Sequence, residues 1–279
     1  MQKRIIGFLG AGNMGQSLIK GLLLNHYPPE LVWVCDTHQD KLNNLLVSYP
    51  KINTTQDMHA LVHNSAVLVL ALKPQVLQSV LTDLKTDLQK YEPLLMSIAA
   101  GIQTQQIHRW VSHCTSNTLD IIRAMPNTPA MLQAGITGLY ADASVSQDNK
   151  EFANKLFNAV GHTIWIEDEN LMDVVTALSG SGPAYFFYIL EAFIEGATQL
   201  GLSPETAKKL STYTMLGASQ MAIHSNDIHT LRENVTSKGG TTQAGLDTFD
   251  TGQLKECLIQ ALIAATQRGK ALSNAYDTI

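Results

Sequence analysis

A short apolar run, Arg4-Ile-Ile-Gly-Phe-Leu9, ends in Gly10-Ala-Gly12-Asn-Met-Gly15, and a segment with Leu18, Ile19, Leu22 and Leu23 on one stripe follows. The order reads as strand, tight turn and amphipathic helix. In that setting Gly10 permits the turn, Gly12 lets the backbone approach a pyrophosphate, and Gly15 lets helix and strand pack closely. The helix N-terminus adds unpaired N–H groups and a partial positive charge for phosphate. A glycine-rich turn without a ligand is the alternative. The placement between strand and helix favours nucleotide binding.

The following segments extend the pattern. Leu31-Val-Trp-Val-Cys-Asp36 reads as a second strand, and Asp36 stands where a Rossmann acid receives the adenosine ribose hydroxyls, which favours NAD over NADP. The competing role for Asp36 is to cap the next helix. A third apolar run, 66–72, ends in Lys73-Pro74-Gln75, with Pro74 placed to start a helix. Lys73 reads equally as a phosphate or substrate contact and as a solvated side chain. Residues 94–101 repeat the pattern, a strand followed by small residues, and 119–129 form another strand closed by a loop with two prolines. In a doubly wound sheet the ligand lies beyond the carboxyl ends of the strands, so these ends are expected on one rim. A strand at 135–140, a helix at 147–160 and a strand at 162–167 complete this half.

Beyond 167 the strand-like runs stop. The chain is expected to divide into a dinucleotide-binding domain, 1–167, and a helical domain, 168–279. Pro183 can open a long apolar helix, 184–200. Ser203 and Pro204 are suited to the N-cap and first position of another that runs to 221, and Asp227 to the cap of a shorter one, 228–235. The segment Thr236-Ser-Lys-Gly-Gly-Thr-Thr242 is too small and polar for a core. Gly252 separates two last helices, 243–250 and 253–273. Several of these helices are apolar over much of their circumference, which a small helical domain cannot bury alone, so a subunit interface is expected.

The net charge of −5 gives no bulk attraction to nucleic acid or an anionic membrane. The three cysteines, Cys35, Cys114 and Cys257, have no metal-ligand spacing and fit a reducing compartment. No metal site is expected. The first strand begins within a few residues of Met1, which leaves no room for a signal peptide, and the apolar runs are too short to span a bilayer. The expected location is the cytoplasm.

Three segments together are specific. Arg123-Ala-Met-Pro-Asn-Thr-Pro129, Leu178-Ser-Gly-Ser-Gly-Pro-Ala-Tyr185 and Val235-Thr-Ser-Lys-Gly-Gly-Thr-Thr242 resemble the signatures of the pyrroline-5-carboxylate reductases. Ala71-Leu-Lys-Pro-Gln75 and Ser97-Ile-Ala-Ala-Gly101 match in the same order, and the resemblance runs from Ile5 to about Leu272. It implies an α/β fold with an N-terminal Rossmann domain and an all-helical C-terminal dimerisation domain. It also implies reduction of 1-pyrroline-5-carboxylate to proline by NADPH or NADH, and a homodimer or a ring of dimers. Carried over by position, the cofactor contacts are Gly10, Ala11, Gly12, Asn13, Met14, Gly15, Asp36, Ala71, Leu72, Lys73, Pro74, Ile98, Ala99, Ala100 and Asn234. The substrate contacts are Thr241 and Thr242, with Gly239 and Gly240 presenting N–H groups to the carboxylate. Three positions depart from the family pattern. Lys238 stands where a proline is usual, Met58 where many members carry an asparagine, and Ser225 where some carry a glutamate.

The residues suit the chemistry. A protonated cyclic imine is already a good hydride acceptor, so the site needs a carboxylate clamp, one hydrogen-bonding group at the ring nitrogen and a dry nicotinamide face. Thr242 offers that hydroxyl and is the candidate catalytic residue. Ser181 or its backbone is expected to line the same pocket. Helix capping alone is the competing role for both loops. A β-hydroxyacid dehydrogenase is the rival enzyme, but it needs a proton donor, commonly a lysine on the first helix of the second domain, and 184–200 has none. A non-catalytic nucleotide-binding regulator could dispense with Thr242 and the glycine pair.

Overall fold

The structure, a computed structural model, describes residues 3–111 and 119–275; Cys114 lies outside them. Two compact units divide the chain. One contains the residues up to Ser181 together with those from Ala265 onward, and the other is Gly182–Ala264.

The first unit is built on eight strands among the described residues. They are β1 (Ile6–Leu9), β2 (Val32–Cys35), β3 (Asn53–Thr55), β4 (Val67–Leu70), β5 (Leu94–Ser97), β6 (Ile121–Met125), β7 (Gly135–Ala141) and β8 (Gly161–Trp165). Their order in the sheet is β3-β2-β1-β4-β5-β6-β7-β8. The first six are parallel; β7 runs antiparallel to β6, and β8 parallel to β7. Strand order reverses at β1, with β2 on one side and β4 on the other, the switch point at which such sheets bind ligands.

Both faces are covered, and the strands show it by alternation. Ile6, Phe8, Val32, Val34, Val67 and Val69 join one core. Its helices are α1 (Asn13–Leu24), through Leu18, Ile19 and Leu22, and, later in the chain, 147–158, through Phe152, Leu156 and Phe157. Leu9, Cys35, Leu68, Leu70, Leu95 and Ile121 join the other core. There they meet α3 (Met58–Asn64), α4 (Pro74–Asp83), α5 (Lys85–Tyr91) and α6 (Thr104–Val111). The remaining helices of this half are α2 (Gln39–Ser48), α7 (Gln147–Asn158) and α8 (Met172–Val175). Pro74 opens α4 as its residue type predicts, with Lys73 as N-cap. After α8 the chain makes one π-helical turn, Thr176–Gly180.

The second unit contains α9 (Gly182–Gln199), α10 (Pro204–Ile223), α11 (Ile228–Asn234), α12 (Thr241–Thr251) and the start of α13 (Leu254–Ala275). The caps act as their sequence requires. Ser203 accepts from the Thr206 N–H, and Asp227 from the N–H groups of His229 and Thr230. This unit has almost no interior. Ala207 is its one buried apolar side chain among the described residues, while Phe186, Phe187, Tyr188, Tyr213 and Ile223 are exposed. Five helices with that much apolar surface and no core need a further surface to cover them.

Candidate functional site

The fingerprint glycines have separate physical reasons. Gly10 has φ +107°, and a Cβ there would lie 2.4 Å from the Ala71 carbonyl oxygen. A Cβ on Gly15 would lie 2.7 Å from the Gly10 carbonyl oxygen, so the start of α1 packs directly on the turn. Around Gly12 there is no atom within 4 Å of such a Cβ. Its small size leaves room for something outside the protein. Gly12 is the N-cap of α1 and supplies no side-chain acceptor. The first-turn N–H groups of Asn13, Met14 and Gly15 therefore face that open space without a cap, which fits a pyrophosphate.

The neighbouring strand ends close around this turn. The Gly10 N–H donates to the Cys35 carbonyl at 2.8 Å, the Ala71 N–H to the Leu9 carbonyl at 2.9 Å, and the Ile98 N–H to the Leu70 carbonyl at 3.3 Å. Gly10–Gly15, Asp36, the 71–74 segment and the 98–100 segment are thus brought to one rim. Ala99 is buried, and Lys73 and Ala100 are exposed.

Asp36 is tied to the fingerprint itself. Its Oδ2 accepts from the Ala11 N–H at 2.9 Å, and its Oδ1 from the His38 N–H at 2.9 Å. Lys41 Nζ lies 3.1 Å from Oδ2, and His38 Nδ1 3.0 Å from Oδ1. Burial works to raise this carboxyl, but the His38 and Ala11 N–H groups, followed by the Lys41 and His38 side chains, outweigh it and hold it at about 2. The carboxylate is charged throughout the physiological range and half-neutralised by a lysine that is itself partly exposed.

The other predicted residues lie in the second unit. Asn234 ends α11 and is exposed. After it, the Gly240 N–H donates to the Ser237 carbonyl at 3.0 Å, closing a turn with Lys238 and Gly239 at its centre. Gly239 has φ +72°, and a positive φ at the third residue is what a type II turn requires. The second position of that turn favours proline but does not demand it, so Lys238 keeps the turn where the family has proline. One expectation changes here. The Gly240 N–H is spent on closing the turn and is not open to a carboxylate. The open donors are the first-turn N–H groups of α12, because its N-cap is Gly240 and no side chain caps it. Thr241 and Thr242 are the first two helical residues, both exposed, and neither hydroxyl has a hydrogen-bond partner among the described residues. Thr242 is therefore not the cap of this helix.

Two features were not read from the sequence. Ser181 directly follows the π turn, and its N–H donates to the Thr176 carbonyl. That turn lies against the end of β6, where a Cβ on Gly180 would meet Met125 Cε at 2.6 Å. Asn127 is buried beside it. Its Nδ2 donates to the Ser179 carbonyl at 3.1 Å, and its Oδ1 accepts from the Ile136 N–H at 3.0 Å. Arg123 of β6 is also buried, and its guanidinium faces Glu169 at 3.3 Å and Asp173 at 3.5 Å. Residues 168–181 thus pack with the sheet. The signal for Asn127 was present in the two motifs that contain it and Ser179, but not the contact between them.

An open parallel sheet with an uncapped, glycine-bounded helix N-terminus at its switch point defines a dinucleotide-binding oxidoreductase. Its first part, residues 5–101, matches the family model described as NADP oxidoreductase, coenzyme F420-dependent, and residues 169–272 match the one described as pyrroline-5-carboxylate reductase dimerisation. The chain belongs to the pyrroline-5-carboxylate reductase family. The reductase of Haemophilus influenzae is 39% identical over 281 residues, covering 99% of this chain and 100% of its own length. The solved reductase of Coxiella burnetii is 40% identical with a TM-score of 0.90, over 97% of this chain and 99% of the other. That of Plasmodium falciparum, determined with NADP bound, is 29% identical with a TM-score of 0.86, over 98% and 99%.

Proposed function

We propose that this chain reduces 1-pyrroline-5-carboxylate to proline, the last step of proline biosynthesis, with Thr242 as the residue at the ring nitrogen. The reduced nicotinamide supplies the hydride that the imine carbon accepts. The residues of the chain bind and orient. The α1 N-terminus and Gly12 hold the pyrophosphate, and the rim from Ala71 to Ala100 supports the nicotinamide half. Asp36 is assigned to the adenosine ribose, and Asn234 to the cofactor. The substrate carboxylate is held by the N–H groups of Gly239, Thr241 and Thr242, with Gly240 admitting the close approach. Ser181 lines the pyrroline pocket. The observation that carries this reading is the uncapped start of α12 with an unpartnered Thr242 hydroxyl. A steady-state assay of pyrroline carboxylate with each reduced nicotinamide tests the function. Turnover with neither would reject it. The rival dehydrogenase reading lacks its proton donor, since α9 carries Glu191 and Glu195 but no lysine.

Both NADPH and NADH are assigned as cofactors. Asp36 repels a 2′-phosphate, while Lys41 beside it attracts one. Asp36→Asn keeps the shape and removes the charge, and is expected to raise the NADPH-to-NADH efficiency ratio by roughly tenfold, about 1.4 kcal/mol. An unchanged ratio would show that Asp36 does not face the adenosine ribose.

The functional boundary is assigned at 167/168, supported by the dimerisation match from residue 169. The working form is assigned as a homodimer or a ring of dimers, because the second unit leaves its aromatic residues uncovered. Diluting the enzyme is expected to lose activity and helical signal together, with no folded monomer. An active monomer by light scattering would exclude this. Neither nucleic acid nor membrane is assigned as a partner: the net charge is −5, and among the described residues no helix is long and apolar enough to cross a membrane. The enzyme is assigned to the cytoplasm.

A further inference from the structure

We infer that Asn127 is a positioning residue for hydride transfer, fixing the π turn that presents Ser181 at the carboxyl end of the sheet. The inference rests on the assignment of Ser181 to the pyrroline pocket. A dinucleotide bound at the switch point of such a sheet would place its adenosine half toward β2 and its nicotinamide half toward β4 and the strands beyond it. Asn127 follows the end of β6 on that side. The strand ends at Met125, and the loop residue Asn127 turns its carboxamide between two distant segments.

Three observations support the role. The carboxamide uses both of its ends: the amine on the Ser179 carbonyl and the oxygen on the Ile136 N–H, at sequence separations of 52 and 9 residues. Asn127 is 8% exposed, so neither bond is replaced by water without cost. The segment it holds is a π turn, closed by an i→i+5 bond from the Ser181 N–H to the Thr176 carbonyl, a geometry that is rare and recurs at functional positions. The Ser179 carbonyl lies near the end of that turn, two residues before Ser181. Losing the bond would let Ser181 shift relative to the sheet, and a misplacement of about 1 Å can cost two orders of magnitude in rate.

The donor and acceptor pattern gives a signature that packing alone does not. Asn127→Asp keeps the shape. As a carboxylate it still accepts from Ile136 but sets a negative charge against the Ser179 carbonyl. Once protonated, its O–H donates to that carbonyl and the native pattern returns. Burial beside a carbonyl favours the protonated form and raises this carboxyl above its ordinary value. Arg123, four residues earlier on β6, is a charged group that pairs with Glu169 and Asp173.

The experiment measures kcat, KM and cofactor dissociation constants from pH 6 to 8.5 for wild type and Asn127→Asp. The substrate imine also titrates, so the ratio of variant to wild-type kcat is read at each pH. The expected result is a kcat about 10- to 100-fold below wild type at pH 8, a ratio that rises at least fivefold by pH 6, and a cofactor dissociation constant within about twofold. A ratio that does not change with pH, or a kcat equal to wild type at pH 8, overturns the inference. Should Asn127→Asp fail to fold, Asn127→Ser, too short to reach Ser179, is measured at pH 8. A loss of at least tenfold in kcat with unchanged cofactor affinity supports the role, and a wild-type kcat overturns it. Ser181→Ala tests the underlying assignment separately. The Ser181 N–H is already spent on the Thr176 carbonyl, so unchanged kinetics in that variant removes Ser181 from the pocket and the positioning role with it. Impaired Ser181→Ala beside a pH-independent Asn127→Asp ratio removes only the positioning role.

Discussion

Replacing Thr242 by alanine is expected to lower kcat/KM by roughly 10- to 1,000-fold, a few kcal/mol of transition-state binding. The expectation follows from the turn before it and the helix it begins. Gly239 takes a left-handed conformation, Gly240 closes the turn and serves as N-cap, and α12 starts at Thr241. A side chain whose only task was capping would stand at the N-cap and accept a backbone N–H. Thr242 stands two residues later, exposed, with its hydroxyl unspent. If its role were only structural, alanine would cost little stability and leave turnover of the folded enzyme nearly intact. If it holds the ring nitrogen, stability stays close to wild type and kcat/KM falls. The cofactor dissociation constant is expected within about twofold of wild type, since most of the residues assigned to the cofactor, the fingerprint among them, belong to the sheet unit. Thr242→Ser restores the hydroxyl without the methyl and is expected to recover much of the activity. A near-wild-type kcat/KM in folded Thr242→Ala would remove the residue from the site.

The second large effect is on stability. The double variant Glu169→Ala, Asp173→Ala is expected to lose about 3–5 kcal/mol, the cost of leaving a buried charge uncompensated. Arg123 is 3% exposed and meets these two carboxylates from β6. Glu169 also accepts from the Thr104 N–H and hydroxyl, each at 2.8 Å, so its loss frees two further donors. Adding Arg123→Met to the pair removes the charge and is expected to restore at least half of the loss. Lost packing alone would make the triple variant worse than the double. Denaturant unfolding at fixed protomer concentration measures both. A double variant within about 1 kcal/mol of wild type would show that solvent or another group compensates Arg123. For the same reason a chain ended at 167 is expected to fold poorly, since it keeps Arg123 and deletes both partners.

What could be read from the sequence follows from the kind of signal each element carries. The inner strands are continuous apolar runs because both their faces are covered, and β1, β4 and β5 lie inside the segments expected for them. Caps are local, so Ser203, Pro204 and Asp227 could be placed from residue type alone. The edge strand β3, Asn53-Thr-Thr55, was not legible: it is three polar, half-buried residues paired on one side only. The short helices α3 and α5 carry too few turns to show a period. The texture change near 167 marks where strands end, whereas the compact unit continues to Ser181, because Arg123 draws Glu169 and Asp173 onto the sheet. The glycine fingerprint and the threonine pair were visible as motifs. The Asp36 pairing with Ala11 and Lys41, the closing of the turn by Gly240 and the bridging by Asn127 depend on contacts across the chain, which spacing does not encode.

The helix α13 begins in one compact unit and ends in the other, with the division near Ala265. Its last turns lie beside early parts of the sheet unit: the Ser273 carbonyl accepts from Gln106 Nε2 at 3.1 Å, and a Cβ on Gly269 would come within 3.5 Å of Asp173 Cβ. On the ribosome, then, the sheet unit cannot be completed when its last strand emerges. Its closing piece is synthesised only after the whole helical insertion, Gly182–Ala264, has been made. A chain that folds from its N-terminus carries the sheet without this last helix until then, while apolar helices accumulate behind it. The loop-closure cost grows only logarithmically with that insertion, so the delay is one of time more than of free energy. Loss of the final dozen or so residues would therefore strike the nucleotide-binding half, the part of the protein made first.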